Sequence, residues 1–188
     1  MIVAVVGSGG KTTLIKRLAE QYRAEGKTIL VTTTTHMFIE EDTLLTDDAD
    51  DIIRALEERG MVMAGVPEGI KIKALSPQTF ASVSAAADVV LVEADGSKHM
   101  PLKFPSATEP VIPPKVEEII VVWGPHGLGK PARAVCHRLA LVMDCLGIDG
   151  DTLITREHVS ELLEKGYLKP LGQQYPDAKI EVYPKLFQ

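Results

Sequence analysis

Four short runs in this chain each hold a continuous apolar stretch of strand length: "IVAVV" at 2–6, "KTILVT" at 27–32, "DVVLVEAD" at 88–95 and "EIIVVWG" at 118–124. A strand with one face in water alternates apolar and polar side chains, so continuous runs of this length belong to strands covered on both faces. The stretches between them have helical character: Thr12 to about Glu25, closed by Gly26; Ala49 to Arg59, closed by Gly60; and Pro77 to Ala87, with Ser76 as N-cap and proline at the first position. This order predicts an α/β three-layer sandwich with a mostly parallel central sheet and right-handed crossovers. In such sheets ligands bind beyond the C-terminal ends of the strands.

The remaining segments add detail to that frame. A shorter strand at "GMVMAG" and a hairpin around "GIKIKAL" are expected within residues 60–75. Later helices are expected over Pro131–Leu146 and Thr155–Lys165, and a strand at "KIEVY", with the segment from 166 otherwise weakly patterned. A chain of 188 residues argues for one domain over 1–188, with 150–188 either within it or forming a small extension of it. The proline-rich stretch Pro101–Lys115 lies between two core-type strands and reads as a long ordered loop of the kind that carries function.

Composition excludes several classes. With 45% hydrophobic and 24% charged residues the chain is not disordered, and a net charge of -6 offers no global field for nucleic acid or an anionic membrane. The start "MIVAVV" lacks a basic n-region, and no run reaches membrane-span length, so a cytoplasmic protein is expected. Cys136 and Cys145, nine residues apart on one expected helix, would face opposite ways at about 100° per residue. Neither a disulfide nor a shared metal is expected of them, but reduced, buried thiols.

The first strand runs into "VVGSGGKTTL". A phosphate loop needs a strand, a tight turn free of Cβ atoms, and a helix whose first N–H groups meet the anion. Gly7, Ser8, Gly9 and Gly10 supply the turn, Lys11 a point charge for terminal phosphates, Thr12 a hydroxyl for Mg²⁺, and Thr13 the next helical N–H. A bare G-K-[ST] arises by chance in roughly one chain in ten of this length, so the placement between strand and helix carries the reading. Val5 stands where G-x-x-x-x-G-K-[ST] has glycine, which argues against a standard kinase or GTPase loop.

The second signature is "DVVLVEADG", where Glu93 ends a buried strand in the position of a metal-holding carboxylate. Glu93 to Gly96 fit [DE]-x-x-G: the acids hold metal or water, Asp95 can position a nucleophile, and the Gly96 N–H can meet a γ-phosphate. The threonine run Thr32–Thr35 ends the second strand, and Thr33, Thr34 and Thr35 are candidate ligand hydroxyls or ordinary strand residues. Lys98 and Lys103 are either solvated charges or neutralise phosphate or an anionic substrate. His36, His99 and His126 follow core strands and admit a metal or proton-transfer cluster, although their spacing carries no ligand signature. "GLGKPA" at 127–132 resembles a second loop, but Pro131 removes a needed N–H, so it reads as a turn opening a helix.

Taken together, "GSGGKTTL", "TTTTHM", "EADGSKHMPLKFPSATEPVIP", "GLGKP" and "CHR" resemble, in order and rough spacing, the YqeC family of P-loop NTPases associated with selenium-dependent molybdenum hydroxylases. The likeness covers most of residues 1–150, and its most specific part is Glu93 to Pro113. It implies a P-loop NTPase fold and an accessory role in making or inserting a selenium-containing molybdenum cofactor, with the hydroxylase or its maturation proteins as partners. It also implies family positions at Lys98, Lys103, Glu109 and Pro110, and a phosphate or substrate contact at Arg138. Where a guanine-specifying N-K-x-D could end the domain, "YPKLFQ" places Pro184 and Phe187, so ATP and GTP both remain candidates.

Three activities fit these residues. The first is a Mg²⁺-dependent NTPase or phosphoryl-transfer accessory protein, with Lys11, Glu93 and Asp95 as catalytic groups and Thr12 and Glu93 at the metal. The second is a small-molecule kinase. The third is a nucleotide-switched binding module whose 101–114 loop orders and docks on a partner. Gly7 to Thr13 also resemble the ATP loop of Mur-type amide ligases, whose further domains do not fit in 188 residues.

Overall fold

The structure is a computed structural model that describes residues 1–96 and 98–186. In chain order its elements are β1 (Ile2–Gly7), α1 (Lys11–Ala24), β2 (Ile29–Thr33), β3 (His36–Phe38), β4 (Leu44–Leu45), α2 (Ala49–Arg59), β5 (Met61–Glu68), β6 (Lys71–Lys73), α3 (Pro77–Ala86) and β7 (Val89–Glu93). There follow β8 (Leu102–Lys103), β9 (Glu118–Val122), α4 (Ala132–Val135), β10 (Cys136–His137), α5 (Leu139–Leu146), α6 (Arg156–Leu163), α7 (Lys169–Gln174) and β11 (Lys179–Tyr183). The chain groups into two compact units. The first holds Met1–Val5, Thr12–Asp95 and Val111–Glu117, the second Val6–Lys11, Gly96–Pro110 and Glu118–Gln188.

In the first unit the strands lie in the order β1-β7-β2-β5-β6-β3, with β4 beside β5. The pairs β1–β7, β7–β2 and β2–β5 are parallel, and the hairpin β5–β6 and the β6–β3 pair are antiparallel. The sheet is therefore mixed and mostly parallel, as its continuous apolar strands require. One face packs on α2 and α3 through Leu30, Val62, Ala64, Val90 and Val92 against Ile52, Leu56, Phe80 and Val83. The alternate residues Val31, Met61 and Met63 face Ile15 and Ala19 of α1 across a cavity, so helices lie on both faces of this sheet. The helix ends follow local rules: Asp48 accepts from the N–H groups of Asp50 and Asp51, Gly60 closes α2 with φ 71°, and Ser76 caps α3 through the Thr79 N–H.

In the second unit β9 and β11 pair in parallel, with Lys179 opposite Glu118 and Tyr183 opposite Val122. A two-stranded parallel ribbon joins β8 to β10, setting Leu102 opposite Cys136 and Lys103 opposite His137. That ribbon overturns one expectation. The helix foreseen over Pro131–Leu146 is two helices, α4 and α5, separated by β10 and by Arg138 at φ 58°. The argument that placed Cys136 and Cys145 on one helix therefore fails: Cys136 lies in the ribbon and Cys145 in α5. Both thiols are free, Cys136 buried and Cys145 only partly so. The helix foreseen to stop at Lys165 continues through a π-helical turn at Glu164–Leu168 into α7, so residues 166–174 are helical rather than unpatterned. No helix among the described residues is long and apolar enough to cross a membrane. Phe187 lies outside the described residues, while the carbonyl of Pro184 accepts from the Trp123 indole N–H at 2.7 Å.

Candidate functional site

In the second unit the glycine turn is closed to side chains at Gly7 and Gly9. Gly7 has φ 90°, and a Cβ there would stand 2.1 Å from the Val122 carbonyl oxygen; Gly9 has φ 78° and faces the Gly124 backbone, where a Cβ would come within 2.6 Å. The Ser8 N–H donates to the same Val122 carbonyl at 2.8 Å. The first glycine of the usual pattern is dispensable here because Val5 is still strand, paired opposite Glu93 and fully buried. Lys11 is buried and folds back so that its Nζ donates to the Gly7 carbonyl at 2.9 Å. Gly10, by contrast, is exposed, as is Thr13 in the first turn of α1.

In the first unit the Thr12 hydroxyl donates to Glu93 Oε2 at 3.0 Å. Glu93 is 8% exposed and Asp95 is fully buried, so both carboxyls sit where charge is costly without cations or hydrogen bonds. The backbone that carries them is clamped on both sides. The Glu93 carbonyl accepts from the Thr33 hydroxyl at 2.7 Å and from the Thr34 N–H at 3.2 Å, and the Ala94 carbonyl accepts from the Val111 N–H at 2.9 Å. The other two candidate hydroxyls are engaged in this scaffold with Thr33: Thr34 donates to the Val111 carbonyl at 2.6 Å, and Thr35 is 3.4 Å from the Thr33 hydroxyl. A hydroxyl and a carboxylate in contact at a helix start are hard oxygen donors of the kind Mg²⁺ takes, so the residues present fit that ion.

The second unit gathers the later charged residues. Lys103, with no side-chain exposure, donates to the Gly96 carbonyl at 2.5 Å and to Glu109 Oε2 at 3.0 Å. The same Oε2 accepts from Arg138 at 2.6 Å, and Glu109 precedes Pro110 through a cis peptide bond. Burial acts to raise the Glu109 carboxyl, but the bonds and charges of Arg138 and Lys103 outweigh it and hold it at about 2. Lys103 is not a solvated charge: it is bonded to Glu109 within the chain, whereas Lys98 is exposed, with φ 48°.

Beside Lys103, His137 is held below its ordinary range by burial and by Arg138, Lys103 and Lys98. The sequence stretch containing Glu109 pointed to a family position but not to a hub between two cations, and His137 stood in the "CHR" motif with no role assigned to it. Among the described residues no three His, Cys, Asp or Glu are placed to share a metal, so His36, His99 and His126 build no such metal cluster there. His36 instead meets Glu68 at 2.7 Å.

The fold is thus that of an α/β protein with a mixed, mostly parallel sheet, a glycine turn leading from strand to helix, and an acid at a strand end. The chain belongs to the YqeC family, whose model, described as "YqeC protein", matches residues 3–140. It is similar to the protein of Escherichia coli (strain K12) described as "Uncharacterized protein YqeC", with 34% identity over 170 residues, or 81% of this chain and 63% of that protein. The chain therefore spans less than two thirds of that relative's length. No solved structure matches it.

Proposed function

We propose that this protein is a P-loop, Mg²⁺-dependent nucleoside-triphosphate-binding protein of the cytoplasm and hydrolyses the nucleotide it holds, ATP or GTP. The observation that carries the reading is the bond from Thr12 to Glu93, one residue after a lysine that reaches back over a glycine-rich turn. In this reading Gly7 to Gly10 and Thr13 present backbone N–H groups to phosphate oxygens, and Lys11 transfers its hydrogen bond from the Gly7 carbonyl to a terminal phosphate. Thr12 and Glu93 hold the metal directly or through water, and Mg²⁺ when bound neutralises phosphate charge. Asp95 accepts a proton from, or orients, the attacking water, with the Gly96 N–H toward the γ-phosphate.

We further propose, on the sequence resemblance carried by Glu93 to Pro113, an accessory role in selenium and molybdenum cofactor maturation, with a molybdenum hydroxylase or its maturation proteins as partner. The Lys103 link from the Gly96 carbonyl to Glu109 favours one further reading, a nucleotide-switched module in which the Glu93–Gly96 turn is coupled to the loop before Pro110. Calorimetric titration of ATP and of GTP with Mg²⁺ is the test. Binding of one triphosphate in the micromolar range, weakened by about 100-fold or more in Lys11→Ala, is expected. Equal affinity of the wild type and Lys11→Ala, or no binding of either nucleotide at millimolar concentration, refutes it.

A further inference from the structure

A cavity of about 650 Å³ lies along α1, wholly within the first unit. Its helical wall contains Thr12, Ile15, Ala19 and Arg23, spaced three or four residues apart and so forming one stripe. At the rise of an α-helix, this stripe is about 16 Å long. The facing wall is Val31 with Met61 and Met63 of β5, and Met37 of β3. The volume is that of a small-molecule site, and three thioethers make an apolar wall that adapts to flat or irregular bodies.

The charges of the lining narrow the occupant. Lys16 is taken by Glu40 at 2.8 Å, whereas Arg23 and Arg59 form no ion pair among the described residues. Glu20, Glu41 and Asp42 also line the space, so a ligand with several negative charges would be repelled and one with N–H donors would be matched. We propose that this cavity binds a small amphipathic organic acid. An apolar or aromatic body lies on Met37, Met61 and Met63, a single anionic group meets Arg23 and Arg59, and N–H donors face the acids. The triphosphate itself is excluded by its charge. Because the stripe begins at Thr12, the near end of the occupant lies at the hydroxyl assigned above to the metal. That the occupant is the second substrate of that site rests on the nucleotide reading; that the cavity binds it does not.

The test is a fluorescence titration of the full chain with 8-anilinonaphthalene-1-sulfonate, which carries one sulfonate, one N–H and an aromatic body, alongside the Mg²⁺–triphosphate titration. Saturable binding at one site is expected, weakened by about tenfold or more in Arg23→Ser/Arg59→Ser and in Met63→Trp, which fills the cavity from a partly exposed position. Binding that does not saturate, or that neither variant alters, overturns the proposal. A chain that shows these dye dependences but binds neither triphosphate refutes the nucleotide reading and leaves the cavity site standing.

Discussion

Glu109 shows how one residue can hold two charges inside a protein. The Lys103 side chain has no solvent exposure and Arg138 is 27% exposed, and both end on the same carboxylate oxygen. Removing the carboxylate strands the two cations, so Glu109→Gln is expected to cost about 3 kcal/mol at neutral pH, measured by urea unfolding. The folded-state value, about 2, lies below the ordinary 4.5. The stabilisation is therefore complete above pH 4.5 and is lost as the pH falls through about 2, a loss of about 1–2 kcal/mol after solvent screening. Unfolding at pH 7 and pH 3 should show a steeper fall for the wild type than for Glu109→Gln; parallel curves would contradict the pairing. No spacing in the sequence announces this cluster, because 29 residues separate Glu109 from Arg138 and the β8–β10 ribbon brings their segments together.

Individual elements were legible where local chemistry decides them. Helices α2 and α3 start and end within a residue of what their caps and the αL glycine dictate, since Asp48, Gly60 and Ser76 act on neighbouring backbone alone. Asp48→Ala removes an acceptor from two N–H groups, and a loss of about 1 kcal/mol in chemical denaturation is expected; no change would mean that water replaces the cap. The stretch 132–146 was illegible for the opposite reason. It contains neither glycine nor proline, and its interruption is imposed by pairing of Cys136 and His137 with a distant strand and by the left-handed backbone of Arg138. The glycine turn was half legible: its residues were evident, while the Val122 carbonyl that fixes Gly7 and Ser8 lies over 100 residues away.

At the scale of the whole molecule, the continuous apolar strands foretold a mostly parallel sheet, but not the grouping of separate segments into two units. The thiols report on that packing. Burial raises the Cys136 thiol to about 11, so at pH 8 it is protonated and shielded. Labelling with a disulfide reagent is expected to modify Cys145 first and Cys136 only as fast as the fold opens, with both reacting at once in denaturant; equal native rates would contradict the burial.

The composition of the units has a consequence for descent. The chain passes from one unit to the other at five peptide bonds, two of them, Lys11–Thr12 and Asp95–Gly96, inside the motifs read as nucleotide-binding. Neither unit is a continuous stretch of gene, so no single cut, fusion or exchange can transfer one without dividing the other. The two units are therefore passed on together, and neither can be exchanged as one continuous stretch of chain.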